Sequence, residues 1–299
     1  MGLSAGEPTL IVTDTDRLDV GKALFEAAGS LGADAVMTVM KPRLVNGEEP
    51  PPGVAAAMAA SRVVLCPTSK SLTHTQARAA AARTGSRIAT MPGITPDMLY
   101  EGAMTADYRK VSDLTLKVAG LLTNATSARI VYEGRVLSMS LAGRKAVAST
   151  GRFLNPGESG NLPSGEAYIA PVEGTADGEM WVDGSVAGLG KVQGPLLVSI
   201  QRGTASSFSG WGARELERML ATPDARNVAE LGIGTNDRAR LTGTVLEDEK
   251  IYGSVHIAFG DNSTFGGTVK AGIHIDCIML RPDLYLDDRL VIRAGEFVA

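Results

Sequence analysis

Residues 9–31, TLIVTDTDRLDVGKALFEAAGSL, decide how the first part of the chain folds. Thr9 to Asp14 is a short apolar run typical of a buried strand, and apolar residues at helical spacing follow it between Val20 and Leu31. The same order of strand and then helix repeats as far as residue 122. Because such alternation packs as a parallel sheet with helices on both faces, we predict an α/β, Rossmann-like domain.

The repeat has a clear end in the sequence. Further strands are predicted at 35–40, 62–67 and 87–91, and further helices from Val54, at 73–83 and at 107–122. The small polar segment at 124–127 follows the last helix. We therefore predict an α/β domain at 1–127 and a second domain at 128–299.

The second part of the chain has a different pattern. Short strand-like runs such as ARIVY (128–132), VLSMSL (136–141) and AYIAP (167–171) are separated by glycines and polar turns, with one predicted helix at 212–220. This spacing predicts a mostly antiparallel, β-rich domain. The expected fold class is thus α/β plus α+β, a parallel-sheet domain followed by a β-rich domain.

Composition excludes several classes of protein. The chain has 299 residues, of which 44% are hydrophobic and 21% charged, as in ordinary globular proteins. It contains no run of about 18 apolar residues and no basic start before an apolar core, so we expect a cytoplasmic protein without a membrane span. Cys66 and Cys277 are too few for a disulfide framework or a cysteine zinc site, and we expect buried thiols.

Charge is distributed unevenly. Of 29 basic and 33 acidic residues, residues 1–127 hold 12 of each, which leaves 17 basic and 21 acidic residues in the second part. An acidic domain without a basic cluster is a poor nucleic-acid surface, because neutralised phosphates supply most of that affinity. Bound cations are the better expectation for this domain.

The histidines give the first sharp indication of a site. Only His74, His256 and His274 occur, and the last two stand among carboxylates. In AGIHIDCIML, His274 and Asp276 are two residues apart in a strand-like run, so both side chains leave one face while Cys277 points to the other. A single strand histidine is more often structural, but two in this company favour facing metal ligands.

Carboxylates in apolar surroundings strengthen that interpretation. Glu166 in NLPSGEAYIAP and Glu230 in VAELGIGTN would be costly as ionised groups unless they are paired or bound to metal. Each alone fits a cap, a salt bridge or a turn, and together they favour an ion site. The charges of the acidic LEDEK segment (246–250) either lie in a solvated turn or contact and orient the residues that bind the ion.

These segments resemble the aminopeptidase T family of dinuclear metallopeptidases. The resemblance rests on NLPSGEAYIAP, ELGIGTN, LEDEKIYGSVHIAFGDN and the HID triplet, and covers most of the second domain. It implies a pair of divalent ions, zinc, cobalt or manganese, held by five residues: Glu166, Glu230, His256, His274 and Asp276. SLTHT and ATMPGIT in the first domain are similar to short relatives of this family.

A second resemblance, to the 2,5-dihydroxypyridine dioxygenases, implies a different chemistry. That branch is similar in the tail DLYLDDRLVIRAGE, and its site holds one Fe(II) on two histidines and an aspartate without the two glutamates. The peptidases carry a tyrosine seven residues after the first metal histidine, where this chain has Ser263. The two glutamates favour the hydrolase, and the Fe(II) dioxygenase remains the alternative.

The expected activity is hydrolysis of a small peptide or amide by a water activated between two metal ions. Glu230 is the expected bridging carboxylate, Glu249 or Lys250 the expected aid to proton transfer, and His74 an expected contact to substrate from the first domain. We expect a homodimer with a small-molecule or short-peptide substrate. A structural ion or a binding module is the non-enzymatic alternative, although structural zinc sites are usually rich in cysteine.

Overall fold

The computed structural model describes residues 1–298 and divides the chain into two compact units. The α/β unit comprises residues 1–105 and 151–164, and the β unit comprises residues 106–150 and those from 165 onward. The helices are α1 (Leu18–Ser30), α2 (Pro52–Ala60), α3 (Gln76–Arg83), α4 (Pro96–Tyr100), α5 (Tyr108–Asn124), α6 (Ala213–Met219) and α7 (Val245–Asp248).

The strands outnumber the helices and fall mostly in the second half of the chain. They are β1 (Pro8–Asp14), β2 (Asp34–Met40), β3 (Val63–Cys66), β4 (Arg87–Thr90), β5 (Ser127–Tyr132), β6 (Arg135–Ser140), β7 (Val147–Ser149), β8 (Ser159–Asn161), β9 (Glu166–Ile169), β10 (Asp177–Val182), β11 (Ser185–Val186), β12 (Gly190–Lys191), β13 (Leu196–Gln201), β14 (Thr204–Gly210), β15 (Val228–Gly234), β16 (Val255–Gly260), β17 (His274–Met279), β18 (Asp283–Leu286), β19 (Arg289–Arg293) and β20 (Glu296–Phe297).

The α/β unit contains one parallel sheet of five strands in the order β2-β1-β3-β4-β8. Its central strands β1 and β3 are mostly apolar and are buried over residues 9–14 and 63–66, as the run at 9–14 predicts. Local sequence explains where the helices begin: α2 starts at Pro52, and α3 follows Thr75, whose hydroxyl accepts a hydrogen bond from the Arg78 N–H at 3.2 Å.

The β unit contains two antiparallel sheets. One has eight strands in the order β14-β13-β10-β6-β5-β18-β19-β20, and the other has seven in the order β12-β11-β17-β16-β15-β9-β7. Buried apolar side chains of both sheets and of α5 form one continuous core. The seven-stranded sheet carries all five predicted metal ligands and is therefore named the site sheet.

The units confirm the predicted fold class and divide the chain differently from the boundary predicted after residue 127. Helix α5 (Tyr108–Asn124) belongs to the β unit, where Val118 and Leu122 lie in the core of the two antiparallel sheets. Residues 151–164 return to the α/β unit and supply β8. The sequence pattern showed the helix but not the surface against which it packs.

Two further expectations concern burial and membranes. Cys66 and Cys277 are both buried free thiols, as expected. Among residues 1–298, no helix combines the length and the apolar character that a membrane crossing requires.

Candidate metal centre

The candidate site lies on one face of four neighbouring strands, β17-β16-β15-β9. Residues directly opposite each other on paired strands share a face, and residues two apart along a strand do so as well. Glu230 is paired with Ala258 and Ala258 with Asp276, so that these side chains form one row. His256 lies in the next row, opposite Gly232.

Small residues between the donors leave the space into which the donors point. A Cβ atom on Gly232 would lie 1.9 Å from Nε2 of His256, so only glycine there lets the imidazole lie across β15. Gly234 is equally restricted, since a Cβ would lie 1.9 Å from the Ile251 carbonyl oxygen. A register shift between Val228 and Glu230 precedes the buried carboxylate, and β-bulges commonly re-aim side chains at functional sites.

His256 is the central donor of the cluster. Its side chain is 0% exposed, and Nε2 lies 3.2 Å from Oε1 of Glu230 and 3.5 Å from Oε2 of Glu166. Neither Oε2 of Glu166 nor Nδ1 of His256 has a hydrogen-bond partner among the described residues, although both atoms are buried. A buried carboxylate oxygen without a partner is what a bound cation would satisfy.

His274 approaches the same carboxylate from the other side. Its Nε2 lies 3.6 Å from Oε2 of Glu230 and 3.5 Å from Oδ1 of Asp276. Its Nδ1 lies 2.9 Å from the Asp261 carbonyl oxygen, an acceptor that places the proton on Nδ1 and leaves Nε2 for a metal. The two oxygens of Glu230 thus face two different histidines.

Lys250 and Glu249 extend the cluster beside Glu166. The Lys250 side chain is 0% exposed, its Nζ donates to Oε1 of Glu166 at 2.7 Å, and it also donates to Oε1 of Glu249. Burial lowers the pKa of Lys250, but the two carboxylates outweigh burial and raise it. Burial also raises the pKa of Glu249, against the opposing effect of the Lys250 ammonium.

The carboxylates of the site raise the pKa of both histidines. Burial lowers the pKa of His256, yet Glu230 and Glu166 together raise it to about 9. The pKa of His274 likewise rises to about 10, because Asp276 and Glu230 outweigh burial. Burial raises the pKa of Asp276, and the charge of His274 outweighs that effect and lowers it. Carboxylates that raise the pKa of two neighbouring imidazoles also offer divalent cations a strong counter-charge.

The donor chemistry fits a divalent metal ion. Among residues 1–298, two groups of side chains have donor atoms within 4.8 Å of one another: Glu166, Glu249 and His256 in one group, and Glu230, His256 and Asp276 in the other. The groups share His256, and all donors are nitrogen or oxygen. Carboxylate and imidazole ligands suit zinc, manganese, cobalt and iron.

The structure brings most of the predicted site residues together. Glu166, Glu230, His256, His274 and Asp276 lie on the site sheet, with Glu249 and Lys250 beside them. His74 is exposed and belongs to the α/β unit, between β3 and α3. The role of each residue as ligand or catalytic group stays a prediction.

The LEDEK segment has two separate roles. Glu247 and Asp248 are fully buried, and Asp248 accepts hydrogen bonds from the N–H groups of Thr242 and Gly243 at 2.6 and 2.9 Å. These bonds stabilise the turn before α7. Glu249 and Lys250 face the donor cluster instead.

Sequence reasoning missed the residues that shape the site without binding a metal. Gly232 and Gly234 alternate with buried Leu231 and Ile233, a pattern that signals open space on one face of a strand. Phe265 packs edge to face on His274, with ring centroids 6.0 Å apart, and on Tyr168 at 5.4 Å. No local pattern identifies that aromatic contact.

Comparison with known proteins shows the family. The family model NicX, described as 2,5-dihydroxypyridine 5,6-dioxygenase, matches residues 1–299. A 2,5-dihydroxypyridine 5,6-dioxygenase of Pseudomonas putida strain KT2440 is 26% identical over 252 residues, which are 76% of this chain and 69% of the relative.

Two solved structures have a similar fold. The 2,5-dihydroxypyridine dioxygenase of Pseudomonas putida KT2440 superposes with a TM-score of 0.81 at 22% identity, covering 98% of this chain and 92% of that one. Wild-type AmpT of Thermus thermophilus superposes with a TM-score of 0.71 at 19% identity, covering 99% and 95%. Both resemblances found in the sequence are thus confirmed, and by the family match along its whole length this chain belongs to the NicX family of enzymes.

Proposed function

We propose that this chain is a metal-dependent hydrolase of a small peptide or amide, with two divalent ions held by Glu166, Glu230, His256, His274 and Asp276. One observation carries the proposal. Oε1 of Glu230 lies 3.2 Å from Nε2 of His256, and Oε2 lies 3.6 Å from Nε2 of His274. A carboxylate whose two oxygens face two separate imidazoles is suited to bridge two ions.

The charge of the cluster supports more than one cation. The cluster contains one ammonium group, that of Lys250, two imidazoles and four carboxylates. With neutral imidazoles it therefore carries three excess negative charges. The carboxylates are those of Glu166, Glu230, Glu249 and Asp276. A pair of divalent ions bound there would lower the pKa of a shared water and polarise a scissile carbonyl.

The protein's own groups have distinct tasks in this proposal. Glu249 has a raised pKa and contacts Lys250, so this pair can hold and return a proton beside the donors. Phe265 contacts His274 and lines an open, mainly apolar pocket with residues 143–147 and Gly266. An apolar part of the substrate would occupy that pocket.

Metal content and anaerobic activity test the proposal together. Protein stripped of metal and reloaded with Zn²⁺, Co²⁺ or Mn²⁺ is expected to bind two ions per chain and to hydrolyse amino-acid amides or dipeptides under nitrogen. Glu230→Gln is expected to lose at least one ion. The matched control Glu179→Gln, which removes a half-buried carboxylate paired with Arg135 in the same unit, is expected to keep both. One ion per chain in both the wild-type protein and Glu230→Gln would overturn the dinuclear site.

The second candidate is an Fe(II) dioxygenase that opens a hydroxylated ring. It is favoured by the family match and by the 26% identical relative, a 2,5-dihydroxypyridine 5,6-dioxygenase. His256, His274 and Asp276 would supply a triad of two histidines and one carboxylate, the usual donor set of such oxygenases. Activity on 2,5-dihydroxypyridine only with Fe(II) and air, with oxygen consumed in proportion to product, would establish this candidate and exclude the hydrolase.

A further inference from the structure

The loop of residues 261–273 connects the two histidine strands of the site. It leaves β16, which carries His256, and enters β17 at His274. The Asp261 carboxylate accepts hydrogen bonds from the N–H of Ser263 at 3.0 Å and of Ala271 at 3.2 Å, which ties the two ends of the loop together. The Asp261 carbonyl oxygen is the acceptor for Nδ1 of His274. The conformation of the loop therefore fixes the orientation of a predicted ligand.

The middle of the loop is organised by a buried amide. Asn262 is 0% exposed, and its Oδ1 accepts a hydrogen bond from the Val269 N–H at 2.9 Å. Gly267 lies against it so closely that a Cβ there would be 1.9 Å from Cγ of Asn262. Nδ2 of Asn262 donates to Oε1 of Glu173 at 3.0 Å. The loop thus depends on an acceptor from outside it.

Glu173 is that external acceptor, and it holds the loop at several points. Its Oε1 also accepts from the Thr268 N–H at 2.8 Å, and its Oε2 pairs with Arg144, which itself donates to the Gly266 carbonyl oxygen. Although burial raises the pKa of Glu173, these hydrogen bonds and the Arg144 charge outweigh it and keep that pKa below its ordinary value. The Glu173–Arg144 pair therefore contacts the loop from Asn262 to Thr268.

We propose that Glu173 is a positioning residue for the metal centre, which holds the loop of residues 261–273 and through it the imidazole of His274. The inference rests on the proposed metal site. The loop also carries Phe265, whose ring packs on His274, so loss of Glu173 releases both the carbonyl acceptor and the aromatic contact of that imidazole. Glu173 itself contacts none of the predicted ligands in the hydrogen bonds and ion pairs of the described residues.

Binding of Co²⁺ to metal-free protein measures this positioning. Removing a group that orients a metal ligand typically weakens metal binding 10–100-fold. We expect Glu173→Ala to raise the Co²⁺ dissociation constant about tenfold and to change the visible absorption of the bound ion. Glu173→Gln keeps an acceptor for Asn262 and Thr268, and it is expected to recover most of the affinity. Glu179→Gln is the matched control and is expected to bind as the unchanged protein does.

Proton NMR of the Co²⁺-loaded protein gives a readout that general destabilisation would not mimic. Each ligand histidine contributes one shifted exchangeable N–H signal. We expect the His274 signal to exchange faster with solvent, because that side chain is 33% exposed and the His256 side chain is 0% exposed. Glu173→Ala is expected to broaden or shift the His274 signal and to leave the His256 signal in place.

The outcomes separate this inference from the proposed function. If the unchanged protein takes up no Co²⁺, the metal centre itself is wrong. If it binds Co²⁺ and folded Glu173→Ala binds with equal affinity and an unaltered His274 signal, the positioning role is overturned. Should Glu173→Ala fail to fold by circular dichroism, Arg144→Met decides instead, since it removes the contacts to Glu173 and Gly266, and unchanged affinity and signal there would equally overturn the role.

Discussion

Gly232 determines at the scale of a single residue where His256 can lie. The His256 ring occupies the position of the missing side chain, with Nε2 only 1.9 Å from where a Cβ would be. Any other residue at 232 must displace the imidazole or move β15 away from β16. A glycine that looks ordinary in the sequence is therefore a requirement of the site.

Gly232→Ala tests that requirement. We expect metal affinity to fall at least tenfold, since His256 must leave its position, and the free energy of unfolding to fall by about 1–3 kcal/mol from overpacking. Isothermal titration with Zn²⁺ and urea unfolding measure the two effects. Gly120→Ala is the control, since Gly120 is exposed on α5 with open space around it. This variant should lower neither the Zn²⁺ affinity nor the free energy of unfolding. Unaltered Zn²⁺ affinity in Gly232→Ala would contradict the placement of His256.

The alternation along β17 gives a second contrast between neighbouring residues. Asp276 faces the donors, whereas Cys277 is fully buried in the apolar core on the other face. We expect Asp276→Asn to lose metal and activity while the chain stays folded, because replacing the carboxylate with an amide removes a charged ligand. Cys277→Ser should keep both metal and activity at a cost of about 1–3 kcal/mol for a buried hydroxyl. Metal analysis and thermal unfolding of the two variants are the measurement, and equal loss of metal would contradict the strand register.

The clustering of the candidate donors could largely be predicted at this scale, because side chains that can bind a metal carry chemistry that a sequence displays. His256, His274 and Asp276 are unusual in strand-like runs, and Glu166 and Glu230 are unusual in apolar ones. The contributions of Gly232, Asp261 and Glu173 could not be predicted. Gly232 acts through backbone space, Asp261 through its backbone carbonyl, and Glu173 through a loop that is about 90 residues away in the chain. Such roles depend on which strand or loop becomes the neighbour, and no local pattern encodes that.

At the scale of the element, the LEDEK segment (246–250), which overlaps α7, shows how a short acidic run serves two purposes. Asp248 closes the turn, while Lys250 brings an ammonium into contact with Glu166 and Glu249. Loss of one partner of a buried ion pair leaves the others uncompensated. The stability of the site sheet without metal should therefore depend on Lys250.

Lys250→Met tests this dependence. We expect the free energy of unfolding of the metal-free protein to fall by about 3 kcal/mol, within the range for a broken buried ion pair. A second substitution, Glu249→Gln, should recover part of the loss, because it removes one of the unpaired carboxylates. Urea unfolding in the presence of a chelator is the measurement, and Lys145→Met, at an exposed position in the same unit, is the control. If adding Glu249→Gln lowers the free energy of unfolding of Lys250→Met further, the claim that Lys250 compensates the charge of Glu249 is contradicted.

An ion pair joins the first residues of the chain to β4 and gives a pH-dependent prediction. Arg87 binds both oxygens of Glu7, at 3.0 and 2.9 Å. These hydrogen bonds outweigh burial and lower the pKa of Glu7 below its ordinary value of 4.5. A carboxyl with a lowered pKa contributes stability above its ordinary pKa and loses it as the pH falls through the lowered value.

Glu7→Gln should therefore destabilise the protein at pH 7 and not in acid. We expect the free energy of unfolding to fall by about 1–2 kcal/mol at pH 7, and the two proteins to converge as the pH falls below 4.5 and through the lowered pKa of Glu7. Unfolding in urea across this pH range measures the difference. Glu26→Gln changes an exposed glutamate on α1 and should match the unchanged protein throughout. A difference that persists undiminished in acid would contradict the role of the charge.

The predicted elements agree closely with the observed ones in the α/β unit. Strand β1 (Pro8–Asp14) and helix α1 (Leu18–Ser30) differ from the predicted runs by at most two residues, because apolar periodicity and turn residues determine such elements locally. The neighbours of each strand were less predictable. Strand β8 (Ser159–Asn161) has only three residues and pairs with β4, which ends 69 residues earlier in the chain.

At the scale of the whole molecule, metal binding should stabilise one unit and leave the other unchanged. All predicted ligands belong to the β unit. A ligand that binds only the folded state adds about 2.7 kcal/mol when its concentration is 100 times its dissociation constant. We expect added Zn²⁺ to slow hydrogen exchange in β9, β15, β16 and β17 and to leave exchange in β1–β4 unaltered.

Hydrogen exchange measured by mass spectrometry checks that expectation, with Glu230→Gln as the control. The variant should show a smaller protection on adding Zn²⁺, because it lacks the carboxylate that faces both histidines. Equal protection of β1–β4 and of the site strands would contradict a site confined to the β unit. Protection of the variant to the same extent as the unchanged protein would contradict the bridging role of Glu230.

The return of residues 151–164 to the parallel sheet has a consequence for synthesis on the ribosome. The α/β unit reaches its last strand only after β5, β6 and β7 of the other unit have been translated. Until then β4 is an open edge, free to pair with another nascent chain. The unit that is translated first therefore completes its sheet only after part of the second unit has been translated. A gene fragment that stops at residue 127 lacks β8 and encodes a sheet in which the β4 edge stays uncovered.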